Sequence, residues 1–262
     1  MWKRETILKR FSLHTLHAYS ASPVPYMRAS DFQRFFSADG GGTPDELSGP
    51  RIEKVRRIFA ESNAKTILDV GCANGAILKL LPGARELHGV DISEVLVKRA
   101  NAIGVKALVH DVESGPLPYS DATFDAVFSG EVIEHLVNTD WLLSEINRVL
   151  KPGGMIVLTF PNIRTVLSLL MMAFFDIPPM YAARYRAGHV RDFTLKTIKM
   201  ALQKNGFVFK KAVGSAFYFP KIGEFGRGLA EWFPSWAHTS IVVATKEKEA
   251  VYPPPDLRDV IY

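Results

Sequence analysis

A chain of 262 residues, 47% hydrophobic and 23% charged, is long enough to bury one large core and excludes a disordered or fibrous protein. A single cysteine, Cys72, excludes an intramolecular disulfide framework and a cysteine-rich zinc site, and suits a reducing cytoplasm. The net charge of +5 gathers near the start, where Lys3, Arg4, Lys9, Arg10, Arg28 and Arg34 outnumber Glu5 and Asp31.

Residues 1–50 read as a basic N-terminal arm and a loop. The apolar run over 7–16 is broken by Lys9, Arg10 and His14, so no secretory signal forms and a cytoplasmic protein is expected. The arm's charge could meet anionic lipid, nucleic acid or an acidic substrate, or simply be solvated around an ordinary helix. The stretch SADGGGTPDELSGP over 37–50 is rich in turn formers and predicts the loop.

From Arg51 onward, Ile52, Val55, Ile58 and Phe59 recur at helical spacing, and a short apolar strand over 66–70 ends in glycine. The alternation continues with a helix over 76–81, strand 86–90, helix 94–103, strands 106–109 and 124–129, a helix from about 132 to 150, and strand 155–160. Such units imply a mostly parallel sheet covered on both faces, because parallel strands need helical crossovers to reconnect. One domain is expected over 51–250. An apolar insertion covers 163–187, followed by a helix at 195–205 and strands at 207–212 and 240–246; residues 251–262, with three consecutive prolines, read as an extended tail.

The strongest signal is ILDVGCANGAIL at 67–78, a strand running through a glycine turn into a helix. Gly71 and Gly75 let the backbone approach a ligand where a side chain would fill the space, and Asp69 at the strand's end can accept from an ammonium group. One strand later, Asp91 stands where a carboxylate can accept both hydroxyls of a ribose. A dinucleotide fold uses an acid at the same place, but the turn read from Gly71 lacks the G-x-G-x-x-G spacing.

These residues resemble the class I S-adenosylmethionine (SAM)-dependent methyltransferases, whose signature is an acidic residue and glycine-rich turn after the first strand. The middle glycine of that family's turn is Ala73 here, a small substitution that tightens it. The likeness covers residues 51–246. It extends to His110-Asp111-Val112, which in the family lies against the adenine amine and ring, and to Leu150-Lys151-Pro152-Gly153-Gly154, the turn before the fifth strand. The resemblance implies an α/β fold: a Rossmann-like seven-stranded mostly parallel sheet with helices on both faces, an N-terminal arm and a helical lid insertion. It implies cofactor binding by Asp69, Gly71, Cys72, Ala73, Asn74, Gly75, Asp91, Ile92, Asp111, Val112, Ser129 and Gly130.

Ligands bind at the carboxyl ends of strands in such sheets, so SGEVIEH at 129–135 is expected to face the cofactor. If a helix begins at Glu131, then Glu131, Glu134 and His135 share one face. With His189 they could hold a divalent metal, Mg²⁺ or Zn²⁺. The pairing resembles the ubiquinone-pathway O-methyltransferases, which follow Glu-Val-x-Glu-His with an apolar insertion and a later His-x-x-x-Phe, here His189 to Phe193; more loosely it resembles small-RNA 3′-terminal 2′-O-methyltransferases, whose metal sits on two Glu and two His. Alternatively, the acids simply favour a helix start and His135 hydrogen-bonds near the cofactor. Without metal, His135 or His189 serves as general base, and Glu131 joins them as a catalytic candidate.

Residues 166–175, VLSLLMMAFF, are too short to span a bilayer, which needs about 20. They could lie on a membrane or line a greasy pocket with Tyr181, Arg184, Tyr185 and Arg186 at the margin, or form a buried lid helix. The aromatic residues Phe217, Tyr218, Phe219, Phe225, Trp232, Phe233 and Trp236 could wall an acceptor site or pack in a core, and 232–246 resembles the last hairpin of glycan- or lipid-pathway methyltransferases. The expected function is an O-methyltransferase acting on a small or lipophilic hydroxylated acceptor, such as a quinone precursor, a sugar or a natural product. A scaffold protein that keeps the fold without turnover and an RNA 2′-O-methyltransferase are the alternatives, and no RNA-binding module points to nucleic acid. Peripheral membrane contact through 163–187 or the basic arm, and a homodimer, complete the expectations.

Overall fold

In a computed structural model that describes residues 47–84, 86–176, 188–219 and 222–250, one seven-stranded sheet organises the chain. In chain order the elements are α1 (Pro50–Ala60), β1 (Thr66–Val70), α2 (Ala76–Leu80), β2 (Glu86–Asp91), α3 (Glu94–Ala102), β3 (Lys106–Val109) and β4 (Phe124–Gly130). There follow α4 (Thr139–Val149), β5 (Leu150–Pro161), α5 (Val166–Phe175), α6 (Leu195–Lys204), β6 (Phe207–Gly214), β7 (Phe217–Phe219), β8 (Gly223–Phe225), α7 (Arg227–Trp232) and β9 (Thr239–Lys246). The strand order is β3-β2-β1-β4-β5-β9-β6, parallel except where β9 runs antiparallel to both neighbours. This is the Rossmann-like, mostly parallel sheet implied by the helix–strand alternation.

Each face of the sheet is covered, and the period-two alternation of the strands divides the side chains between the faces. On β1, Leu68 and Val70 join a core with Leu142, Leu143 and Ile146 of α4 and Ile198 and Leu202 of α6, while Ile67 joins Val55, Ile58 and Phe59 of α1 on the opposite face. Phe59 meets Phe128 edge to face at 6.4 Å. Helix starts follow local chemistry: Pro50 opens α1, Ser93 caps α3 by accepting from the Leu96 amide, Asn138 caps α4, and Thr194 forms a capping box with Thr197 at α6. Lys54 is buried beneath α7, its ammonium donating to the carbonyls of Gly214, Ser215 and Arg227, which ties α1 to the segment after β6.

Several expectations need correction. The helix expected from about 132 to 150 is two pieces, a 3₁₀ turn Ile133–His135 and α4 from Thr139, because the chain turns out of β4 through Glu131 in the left-handed region (φ +57°). β5 starts at Leu150 and takes in the Lys-Pro-Gly-Gly stretch as an irregular extension, with Gly153 at φ +74° and the register against β4 shifting between Phe124 and Ala126. No hairpin occupies 232–246: Trp232 ends α7 and β9 is a single strand inserted between β5 and β6, whereas the hairpin lies earlier, β7 against β8. Helix α5 is not a buried lid, since Ser168 alone of its residues is buried, and Asp176 in the left-handed region ends it. Of the aromatic wall, Phe217 and Phe225 pair at 5.9 Å, and most of the remainder is exposed. Tyr181, Arg184, Tyr185 and Arg186, the arm over 1–46 and the tail over 251–262 lie outside the described residues. No described helix is long and apolar enough to cross a membrane.

Candidate functional site

Between β1 and α2 the chain makes a turn that only a narrow set of residues permits. Gly71, Ala73 and Gly75 all have positive φ (80°, 46° and 74°), and the amides of Gly71 and Cys72 donate to Val90 O, fastening the turn to β2. A Cβ on Gly71 would stand 2.3 Å from a methyl of Val132, so glycine there is required by space as well as by backbone. Ala73 carries the left-handed strain that glycine would avoid. Asn74 accepts from the Ala76 amide to start α2. Cys72 is buried and its thiol pKa is pushed up by burial and by Asp69 and Asp91, which makes it packing rather than nucleophile.

Asp91 closes β2. Its Oδ2 accepts from the Ala73 amide at 2.9 Å and its Oδ1 from the Ser93 amide at 2.8 Å, so the carboxylate ties the two loops together while each oxygen keeps a second lone pair. Burial raises its pKa, and those two amides oppose the rise. Asp69 is 2% exposed, with its Oδ1 buried and unpartnered; burial, then Asp91, drives its pKa well up. An ammonium partner would relieve both effects.

Sequence reasoning missed Arg51. It enters from the first turn of α1, donates to Thr159 Oγ1 at 3.3 Å, and acts on Asp69 and Glu134 as the local cation. Nothing in its spacing marked it, because it comes from outside the strand–turn–helix signature. Ile92 follows Asp91 and is half-buried; Asp111 Oδ1 accepts from the Glu113 amide, and Val112 O accepts from the Trp141 indole N–H at 3.1 Å. Ser129 and Gly130 end β4, and the Ser129 hydroxyl is buried without a partner.

The 3₁₀ turn and the segment after residue 187 meet through the main chain. The amides of Val190 and Arg191 both donate to Glu134 O, and His135 Nδ1 lies 3.3 Å from Gly188 O. A carbonyl only accepts, so that contact puts the ring proton on Nδ1 and the lone pair on Nε2. His135 and His189 thereby stand edge to face, and ligand atoms of Glu134, His135 and His189 all lie within 4.8 Å of one another. Glu131 does not belong to that trio. The expected common helical face does not exist, and Glu131 instead accepts from the Thr159 hydroxyl at 2.8 Å, in line with Arg51.

Burial disfavours the charged form of each member of the trio. Glu134 is 1% exposed with both carboxylate oxygens unpartnered, and burial, then Glu131, holds its pKa well up. Burial lowers the pKa of His135 and, helped by His135, takes His189 down to about 4. Buried polar atoms without partners are rare. Among the described residues, Asp69, His110, Ser129, Glu134 and His189 supply most of them; the first four stand at or just beyond the carboxyl ends of parallel strands, and His189 packs against His135. A nucleoside with an ammonium group fits the Asp69–Asp91 cradle, while the space that the sequence reading reserved for a ligand beside Gly71 is filled by Val132; a divalent cation fits the donor set of one carboxylate and two imidazoles.

Known proteins share part of this sequence and the fold. Residues 68–158 match the methyltransferase domain family. The 27-O-demethylrifamycin SV methyltransferase of Amycolatopsis mediterranei is 36% identical over 128 residues, 46% of this chain and 47% of that protein. Dimethylglycine N-methyltransferase of Parasynechococcus marenigrum is 27% identical over 158 residues, 52% of this chain and 56% of that protein. The alignments thus span about half the length of these relatives. A SAM-dependent methyltransferase from Mesorhizobium loti shares the fold, with a TM-score of 0.55 at 19% identity over 78% of this chain and 98% of its own. The signature turn, the strand order and these matches agree: residues 68–158 match a methyltransferase domain, and the fold is the one that the Mesorhizobium loti protein has.

Proposed function

We propose that the protein transfers a methyl group from SAM to a hydroxyl oxygen of a small or lipophilic acceptor bound beside Glu134, His135 and His189. The single observation that carries this reading is the trio's geometry: a buried carboxyl group and two imidazoles gathered just beyond the carboxyl end of β4. The cofactor, when bound, supplies an electrophilic methyl on a sulfonium centre. Asp69 would hold its ammonium group, Arg51 its carboxylate and Asp91 its ribose hydroxyls. Asp111 and Val112 would flank the base, and the turn 71–75 with Ile92, Ser129 and Gly130 would shape the remaining wall. Positioning of this kind supplies most of what a methyl transfer needs.

The acceptor proton remains to be removed. The Nε2 lone pair of His135 suits that role, because the ring's other nitrogen faces Gly188 O and burial keeps the imidazole neutral near pH 7. Glu131 holds Thr159 and, through it, Arg51. A second reading gives the trio a divalent cation, favoured by the two unpartnered oxygens of Glu134; one carboxylate with two imidazoles suits Zn²⁺ better than Mg²⁺. A cation there would hold a developing alkoxide.

Labelled SAM incubated with phenols, sugars and hydroxylated lipids tests the reading. Transfer to oxygen that His135→Ala abolishes is the expected result. Transfer only to amines or carbon acceptors, or no heat on titrating SAM, would remove it.

A further inference from the structure

The turn that carries Glu134 and His135 is short and weakly held from within. His135 N donates to Val132 O at 2.9 Å and Leu136 N to Ile133 O at 3.4 Å, and bonds of this 3₁₀ type are poorer in geometry than α-helical ones. At its exit the amides of Val137 and Asn138 lie ahead of the first residue of α4, where the helix offers them no acceptor. Both donate instead to one oxygen from another part of the chain, Glu113 Oε1, at 2.7 and 3.2 Å.

Glu113 stands two residues after Asp111, on the loop that leaves β3. That loop is braced on itself and on β2. The Glu113 amide donates to Asp111 Oδ1 at 3.0 Å, the Ser114 amide and hydroxyl donate to Asp111 O, and the His110 amide donates to Asp91 O at 2.9 Å. A second tether runs to the same helix start, where the Trp141 indole N–H donates to Val112 O at 3.1 Å. The loop beside Asp91 and the turn bearing His135 are therefore joined at residues 137–141.

From there the connection continues. Val137 O accepts from the Arg191 guanidinium, with Nε at 2.9 Å, and Glu134 O accepts from the amides of Val190 and Arg191 at 2.9 and 3.1 Å. Val137 is the shared link, its N–H held by Glu113 and its carbonyl by Arg191. An acid near a helix start can also serve simply as a cap. That place is already filled at α4, because the Asn138 side chain accepts from the Trp141 amide, and Glu113 holds the two amides ahead of the helix.

We propose that Glu113 is a positioning residue that couples the loop at 110–114 to the turn at 133–138, so that a nucleoside seated on Asp91 and Asp111 steadies the turn and the segment bearing His135 and His189. The proposal rests on the cofactor reading given above and holds whatever atom is methylated. Glu113 acts through two amides rather than on the reacting atoms.

Amide hydrogen exchange of the full chain, with and without adenosine, tests it. Adenosine has the base and ribose of SAM and lacks its amino-acid part. At a concentration that calorimetry shows to be saturating, the Val190 and Arg191 amides are expected to exchange about tenfold more slowly. Those amides donate to Glu134 O and not to the loop. In Glu113→Ala the slowing is expected to fall below about twofold, while Glu113→Gln, which keeps an oxygen for both amides, is expected to retain it. Amides of β1 and β4 keep their protection in both variants, which reports an intact sheet. Full slowing in Glu113→Ala, as a mere cap for α4 would give, overturns the proposal, and so does a loss in Glu113→Gln equal to that in Glu113→Ala. Adenosine that binds the original chain without slowing these amides overturns the proposal and leaves the cofactor reading in place. No adenosine binding to the original chain overturns both.

Discussion

The imidazoles of His135 and His189 stand edge to face, ring centres 4.8 Å apart and planes at 82°, held by main-chain bonds between the 3₁₀ turn and the segment that follows residue 187. Glu134 lies in the same cluster with both carboxylate oxygens buried and unpartnered. A cluster so arranged responds to a cation, to pH and to substitution in ways that can be told apart.

Zn²⁺ at about a hundredfold over its Kd should raise the thermal midpoint of the chain by roughly 5 to 10 °C. Glu134→Gln should abolish that rise. In the absence of cation the same variant should be the more stable protein near neutral pH. The raised pKa of Glu134 means its favourable contribution is present below about 4.5 and is lost as pH climbs toward the native-state value. Scanning calorimetry with and without Zn²⁺ reads both effects. An unchanged cation response in Glu134→Gln would place the ion elsewhere.

His189 gives the opposite slope. Its native pKa of about 4 lies below the ordinary 6.5 because burial and His135 disfavour the imidazolium, so the unfolded chain takes up the proton first. Stability should therefore fall as pH drops from about 6.5 to about 4, with no further contribution from this residue below that. Urea titrations across the interval should show a shallower slope in His189→Asn. An identical slope would mean the imidazole is solvated.

Gly71→Ala meets two obstacles, the left-handed backbone at φ +80° and a Val132 methyl 2.3 Å from the new Cβ. The combined cost should be about 3 kcal/mol. Adding Val132→Ala removes the steric part alone and should recover roughly half of it. Chemical denaturation of the three variants separates the contributions, and full recovery in the double variant would show that the backbone strain is negligible.

Asp91→Ala should weaken SAM binding by roughly tenfold to a hundredfold, the worth of hydrogen bonds to a charged group. Asp91→Asn retains one acceptor and should fall between the variant and the original. Arg51→Ala should weaken SAM and its demethylated product alike, because the carboxylate is common to both. Calorimetric titration gives each Kd, and a wild-type affinity in Asp91→Ala would move the ribose away from β2.

The alternation of apolar helices and short strands, the glycine turn at 71–75 and the acid that ends the second strand were all legible in the linear sequence. Each is a local demand: helical or strand periodicity, a backbone that only small residues permit, a carboxylate at a strand terminus. Distance was not legible. That Glu131 leaves β4 with positive φ and so parts from Glu134, that Arg51 arrives from α1, and that His189 closes on His135 depend on which strands are neighbours. Only the packed sheet brings such distant residues within a few ångströms. The same holds for the apolar residues at 166–175, 217–219 and 222–233, which read equally as core or surface until the direction of β5 and β6 sends both segments out at one end of the sheet, where many of them are exposed.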